Sequence, residues 1–94
     1  MDWKAQLQGD ESALSQLREA NTVPNASITR NGVEWFIEST DFELLTDDGQ
    51  VRQKAEQILS SMLGAGAAPQ SPIAIGPVYR MHYDGSKTVY RAGG

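Results

Sequence analysis

Two segments of opposite charge hold the side chains that could carry chemistry. Residues 34–48 contain six acids and no base, whereas residues 78–91 contain three bases, one acid and the only histidine of the chain. Paired carboxyl groups can work as acid and base, and grouped bases attract anions or acidic proteins. The two segments therefore indicate either an acid–base enzyme or a binding surface for a charged partner.

The basic segment is expected to form a β-hairpin. Its strands, residues 78–83 and 86–91, flank Asp84-Gly85, a strong hairpin-turn signal. Pairing across this turn sets His82 opposite Lys87 and Arg80 opposite Val89. We expect one face to be aromatic and to contact the core (Tyr79, Met81, Tyr83, Thr88 and Tyr90). The other face is basic and should meet water or an acidic surface, such as residues 34–48 of a second copy; its candidate binding residues are Arg80, His82, Lys87 and Arg91.

The residues that could be catalytic in these two segments also have a simpler, purely structural explanation. Glu34 and Glu38 share a strand face and could pair as acid and base, but polar alternation on an exposed face also explains them. His82 could act as a general base, yet no carboxylate stands near it to orient its ring, so a solvated strand histidine is the simpler interpretation. We predict no catalytic residue.

Metal and cofactor motifs are not found. Asp47-Asp48-Gly49 fails as a calcium loop, because aligning Gly49 with the loop glycine places Leu44 where an aspartate is required. Gly64 and Gly66 follow a predicted helix, whereas phosphate-binding glycines precede one. The chain has no cysteine. We predict no metal and no cofactor.

Composition narrows the partners and the location. The net charge of −4 argues against nucleic acid, which proteins usually meet with a basic surface. The apolar runs are far shorter than the roughly 20 residues of a membrane helix, and the first residues lack the features of a signal peptide. We therefore expect a cytoplasmic protein that binds a protein partner or itself, and no nucleic acid or membrane.

A first hairpin is predicted around Asn31-Gly32, with a type I′ turn. Alternation in the strands, residues 26–30 and 33–39, gives one apolar face (Ile28, Val33, Trp35 and Ile37). Phe36 lies on the opposite, otherwise polar face. Because a large apolar side chain there needs cover, we expect N-terminal helices or a partner to lie over Phe36, and we include it among the candidate binding residues.

The main helix is predicted over residues 48–63. Its apolar residues recur at the helical period, and Thr46 or Asp47 should cap it. A preceding helical turn at residues 40–43 should tuck Phe42 or Leu45 under the sheet. The residues expected to face the sheet are Val51, Ala55, Ile58, Leu59 and Met62.

These elements predict an α+β fold in the order α–ββ–α–ββ. Two hairpins form a mainly antiparallel four-stranded sheet with one crossover helix on one face, and the strand order 2-1-3-4 would keep all neighbours antiparallel. Residues 1–20 are expected to be helical in two pieces, interrupted at Gly9. Residues 1–25 thus form a loosely docked helical segment and connector, and residues 26–94 a single domain.

Part of the chain resembles a pattern in small uncharacterised bacterial proteins. The matching pieces are residues 31–39 with Asp41-Phe42, residues 51–65, and Pro72-Ile73 with Gly76. The resemblance covers about residues 28–91. It implies a bacterial source and transfers no activity and no catalytic residue.

We expect a non-catalytic interaction module, part of a larger bacterial protein or complex. An accessory or regulatory domain that binds a small anion on the basic face is the first alternative, and a small acid–base enzyme is the second. A pocket lined by convergent acids would favour the enzyme. A flat sheet with an exposed aromatic residue would favour the module.

Overall fold

The computed structural model describes residues 3–64, 72–84 and 87–93, and side chains as far as Arg80. It has an α+β fold with two hairpins on either side of a long helix, as predicted. The elements in chain order are β1 (Trp3–Gln8), α1 (Glu11–Ala20), β2 (Ala26–Asn31), β3 (Glu34–Ser39), a 3-10 turn (Thr40–Phe42), α2 (Asp48–Gly64), β4 (Ala74–Asp84) and β5 (Lys87–Gly93).

The sheet has five strands in the order β2-β3-β1-β4-β5, and all neighbours are antiparallel. Strand β1 is central, with Ala5 opposite Ile37 of β3 and opposite Val78 of β4. The sheet is antiparallel as predicted, but it has one strand more than the four expected, because the first predicted helical piece forms β1. The strand order, which the sequence left open, differs from the 2-1-3-4 arrangement considered there. Trp3 and Leu7 are four residues apart, a spacing that puts both on one side of a strand as well as of a helix.

The N-terminal residues belong to the core. Trp3, Ala5 and Leu7 of β1 are buried, and so are Leu14 and Leu17 of α1. All five join one cluster with the residues of β2, β3, α2 and β4. The prediction that residues 1–25 dock loosely on a separate domain is wrong, since their described part supplies the middle of the sheet and one of the covering helices.

Both helices cover the same face of the sheet. Trp35 and Ile37 of β3 meet the five predicted α2 residues in the shared cluster, which confirms the predicted helix face. Phe42 is buried where the 3-10 turn ends, and the Ser39 hydroxyl caps the start of this turn by accepting a hydrogen bond from the Asp41 backbone N–H at 3.1 Å. The α2 residues are Val51, Ala55, Ile58, Leu59 and Met62.

The first hairpin turns one residue later than predicted. Asn31 pairs with Glu34, so the turn is Gly32-Val33, and Gly32 has φ +65°. Val33 has no positive φ, which excludes type I′; glycine with positive φ at the first turn position fits type II′. Val33 is consequently exposed in the turn instead of facing the core. Ile28, Trp35 and Ile37 still share one face as predicted. Each β2 residue pairs two positions further along β3 than expected, and a shift of two residues leaves a strand's faces unchanged.

The second hairpin also pairs differently from the prediction. Asp84 is opposite Lys87, so His82 lies opposite Val89 and Arg80 opposite Arg91. Val78 is fully buried in the helix-side core, whereas Tyr79 contacts Phe36 on the other face. The assignment of Tyr79 to the core face is wrong, because pairing with β1 decides which side of β4 points inward. The side chains of the remaining aromatic-face residues lie outside the described part.

Candidate functional site

Arg80 lies where strand β1 begins, stacked on an aromatic ring. It pairs with Trp3 across β1 and β4, and its guanidinium carbon is 4.9 Å from the centroid of the Trp3 ring. The indole Nε1–H of Trp3 donates a hydrogen bond to the Leu45 carbonyl at 2.9 Å, which fixes the ring between β4 and the loop before α2. A cation over a tryptophan face is held by the ring quadrupole and contributes about 0.5–2 kcal/mol.

One hydrogen-bond donor of Arg80 has no partner within the described residues. Its Nε is buried without a partner, and none of the ion pairs found in this part of the chain includes it. Leaving a buried donor unsatisfied costs roughly 1–3 kcal/mol. A carboxylate from outside would form charge-assisted hydrogen bonds with the guanidinium, and it would reach the buried Nε only if neighbouring side chains moved.

A second arginine stands directly across the hairpin. Arg91 of β5 is the Cα partner of Arg80, and like charges opposite each other destabilise a strand pair. The pairing of β4 with β1 ends at Arg80 and Trp3, whereas the pairing of β4 with β5 continues to Asp84 and Lys87. The structure thus brings two predicted site residues together. The side chains of His82, Lys87 and Arg91 fall outside the described residues.

Phe36 lies away from Arg80, on the face of the sheet that the helices leave uncovered. It is only 4% exposed, because Tyr79 meets it edge-to-face with 5.9 Å between ring centroids and the Lys4 ammonium lies 5.4 Å from its ring. The expectation that N-terminal helices or a partner cover Phe36 is therefore wrong. Strand β1, inserted between β3 and β4, brings Lys4 and Tyr79 beside it.

The acids of residues 34–48 are spread over several surfaces. Glu38 lies 3.7 Å from the Lys4 ammonium, and Asp41 lies 3.8 Å from that of Lys54. Glu34 stands at the opposite end of β3 from Glu38, about 13 Å away along the strand. They do not form the acid–base pair considered from the sequence.

A cleft of about 520 Å³ opens at the Trp3 end of the sheet and has two of these acids in its wall. Glu38 contributes from β3 and Glu43 from the loop that follows. Hydroxyl, amide, methyl and aromatic groups complete the wall, so polar and apolar groups contribute about equally to its surface. The full lining is Trp3, Asn25, Ala26, Ser27, Glu38, Ser39, Thr40, Phe42 and Glu43.

Two residues at this end were missed by sequence reasoning. Trp3 was assigned to a helix, although its alternation with Lys4 and Ala5 is also the strand period and was the available signal. Leu44 was expected to belong to the turn region, yet its side chain is 92% exposed beside the exposed carboxylate of Glu43. No sequence signal separates Leu44 from Leu45, which is half-buried against the core.

Comparison with known proteins adds no assignment. No protein-family model, curated protein or solved structure matches this chain significantly. In the part of the chain that the structure describes, no three metal-binding side chains come together. None of the described helices has the length and apolar character needed to cross a membrane.

Proposed function

We propose that this protein is a non-catalytic interaction module that binds an acidic protein surface through Arg80 and the β4–β5 hairpin. The observation that carries the proposal is the buried Arg80 Nε, which lacks a partner among the described residues while its guanidinium is held on the Trp3 ring. A preorganised donor loses little side-chain entropy when an acceptor arrives.

The opposed arginines give the proposal a second support. Arg80 and Arg91 hold two positive charges at one position of the hairpin, in a chain whose net charge is −4. A group of positive charges on an otherwise negative protein attracts acidic surfaces to that position. An acidic partner would also offset the repulsion between the two strands.

A domain that binds a small anion is the second candidate, since the same donors suit phosphate or a lone carboxylate. An acid–base enzyme has less support. The carboxylate of Glu38 in the cleft is engaged by Lys4, and its predicted partner Glu34 is at the other end of the strand.

The test is an NMR titration that follows the Trp3 indole N–H signal. A synthetic hexaglutamate peptide should shift this signal in the wild type and in Arg18→Gln, whose arginine is exposed on α1. It should not shift the signal in Arg80→Gln, which keeps a long side chain and removes the charge. Raising the salt to about 0.5 M should weaken the shift.

Three results would decide between the candidates. Inorganic phosphate acting as strongly as hexaglutamate would favour the small-anion domain. Any response to hexalysine, which can meet Glu38 and Glu43 in the cleft that Trp3 lines, should be the same in the wild type and in Arg80→Gln. An absence of any response to both anionic probes, or an equal response in Arg80→Gln, would contradict the proposal.

A further inference from the structure

Unpaired groups of both signs lie side by side at the Trp3 end of the molecule. On one side of Trp3, the Arg80 guanidinium stacks on the ring at 4.9 Å. On the other side, the indole N–H binds the carbonyl of Leu45, which directly follows the exposed Glu43 and the 92% exposed Leu44. A basic group on one element, and an exposed apolar and an acidic residue on another, are therefore held at the same end of the molecule through Trp3.

These charges do not neutralise each other within the chain. Neither Arg80 nor Glu43 belongs to any ion pair found between described residues. The Trp3 ring lies between the two elements that carry them and is fixed from both sides. The surface at this end thus presents a positive and a negative group that form no ion pair with any other described residue.

From this arrangement we infer that the acidic partner is a second copy of this chain, bound end to end about a two-fold axis. The inference rests on the proposed function and names its partner. A two-fold contact requires a surface complementary to itself, in which residue i meets residue j and j meets i. Glu43 of each copy would pair with Arg80 of the other, and Leu44 would pack near the axis.

The mixed charge of the surface favours this partner over a uniformly acidic one. A purely acidic protein would be attracted by Arg80 but repelled by Glu43 and the exposed Asp47. A second copy offers an acid for each base and a base for each acid. It also covers Leu44, whose side chain is otherwise almost wholly in water.

The experiment is a charge-reversal exchange measured by analytical ultracentrifugation. Arg80→Glu places two acids opposite each other in a homodimer, and Glu43→Lys places two bases opposite each other. Each variant alone should raise the dimer Kd by about tenfold or more. An equimolar mixture of the two should dimerise again, because each copy then supplies the charge that the other lacks.

Matched controls separate this effect from the overall charge and from misfolding. Arg30→Glu and Glu34→Lys make the same charge changes at exposed positions at the opposite end of β2 and β3, and both should dimerise like the wild type. Leu44→Glu alters a side chain that is 92% exposed and cannot disturb the core. It should abolish the dimer even if Arg80→Glu proves unstable.

The outcomes also distinguish this inference from the proposal on which it rests. A wild type that stays monomeric up to about 1 mM overturns the dimer, while a Trp3 response to hexaglutamate would still support the binding module. Variants that stay monomeric both alone and mixed also overturn the dimer. Single variants that lose dimerisation and a mixture that regains it establish the pairing.

Discussion

Trp3 connects the fold to the candidate site by three different kinds of contact. Its ring is buried in the core, its indole N–H fixes the loop before α2, and its face carries the Arg80 guanidinium. A ligand at Arg80 would therefore act on a side chain that the whole core holds in place. Such rigidity reduces the entropy lost on binding.

Gly32, the positive-φ residue in the turn of the first hairpin, gives a prediction about stability. Gly32 has φ +65°, and a Cβ built there meets nothing within 4 Å, so only the backbone opposes a side chain. Gly32→Ala should lower the free energy of unfolding by about 1 kcal/mol, as measured by urea denaturation. Gly64→Ala is the matched control: the space there is also open, but no positive φ is involved. Equal stability of the two variants would contradict the type II′ turn.

Glycine also explains why both turns were predicted one residue too early. The sequence pairs Asn31-Gly32 and Asp84-Gly85 suggested that both members occupy the turn. In each hairpin the structure pairs the first member as the last residue of its strand, Asn31 with Glu34 and Asp84 with Lys87. Glycine suits more than one turn type, so its presence marks a turn without fixing its register.

At the scale of elements, helix α2 and the faces of the first hairpin were predictable, because local periodicity determines them. Each repeats apolar residues at a period that fits only one type of element. Strand β1 was not predictable in this way. Trp3 and Leu7 fit both periods, and Ala5 between them is small and a good helix former, so it does not distinguish a strand from a helix.

The inward side of the second hairpin depends on residues far away in the chain. The tyrosines suggested that their side is the core side, yet Val78 is the residue that faces the helices. Its position follows from pairing with Ala5, 73 residues earlier. The candidate site depends on the same pairing, since Trp3 meets Arg80 only when β1 joins β4. The sequence indicated the basic residues of the site, but it did not indicate that the Trp3 ring lies beneath Arg80.

Helix α2 gives a prediction about packing. Ile58 is 5% exposed within the core cluster, so Ile58→Ala should cost roughly 2–5 kcal/mol by leaving a cavity. Leu63→Ala, one and a half turns further along the helix and 36% exposed, should cost clearly less. Guanidinium denaturation of both variants measures the difference. A loss below about 1 kcal/mol for Ile58→Ala would mean that this face of α2 does not carry the core.

For the whole molecule, the main conclusion is that one core joins the first described strand, β1, to β4 near the other end of the chain. The buried cluster runs from Trp3 to Val78 and takes residues from both helices and four of the five strands. The basic hairpin is attached to this core through the central strand. Binding at Arg80 and global stability are consequently linked, and a ligand that occupies the native state should raise the melting temperature.

Hydrogen exchange tests the central position of β1. The backbone amides of Ala5, Gln6 and Leu7 lie between β3 and β4 and should exchange only on global unfolding, at the slowest rates in the protein. Amides of β2, which has a sheet neighbour on one side only, should exchange faster on average. Exchange of the β1 amides within minutes at neutral pH would show that the N-terminal strand detaches on its own.

The central position of β1 also has a consequence for how the chain folds. Its two neighbours follow late: Ala5 pairs with Ile37 and with Val78, so both contacts close long loops at an entropic cost. Proteins dominated by such contacts have high contact order and fold slowly. On a ribosome, β1 emerges before both partners, and one of its edges stays open until β4 has been synthesised, which exposes this strand to aggregation.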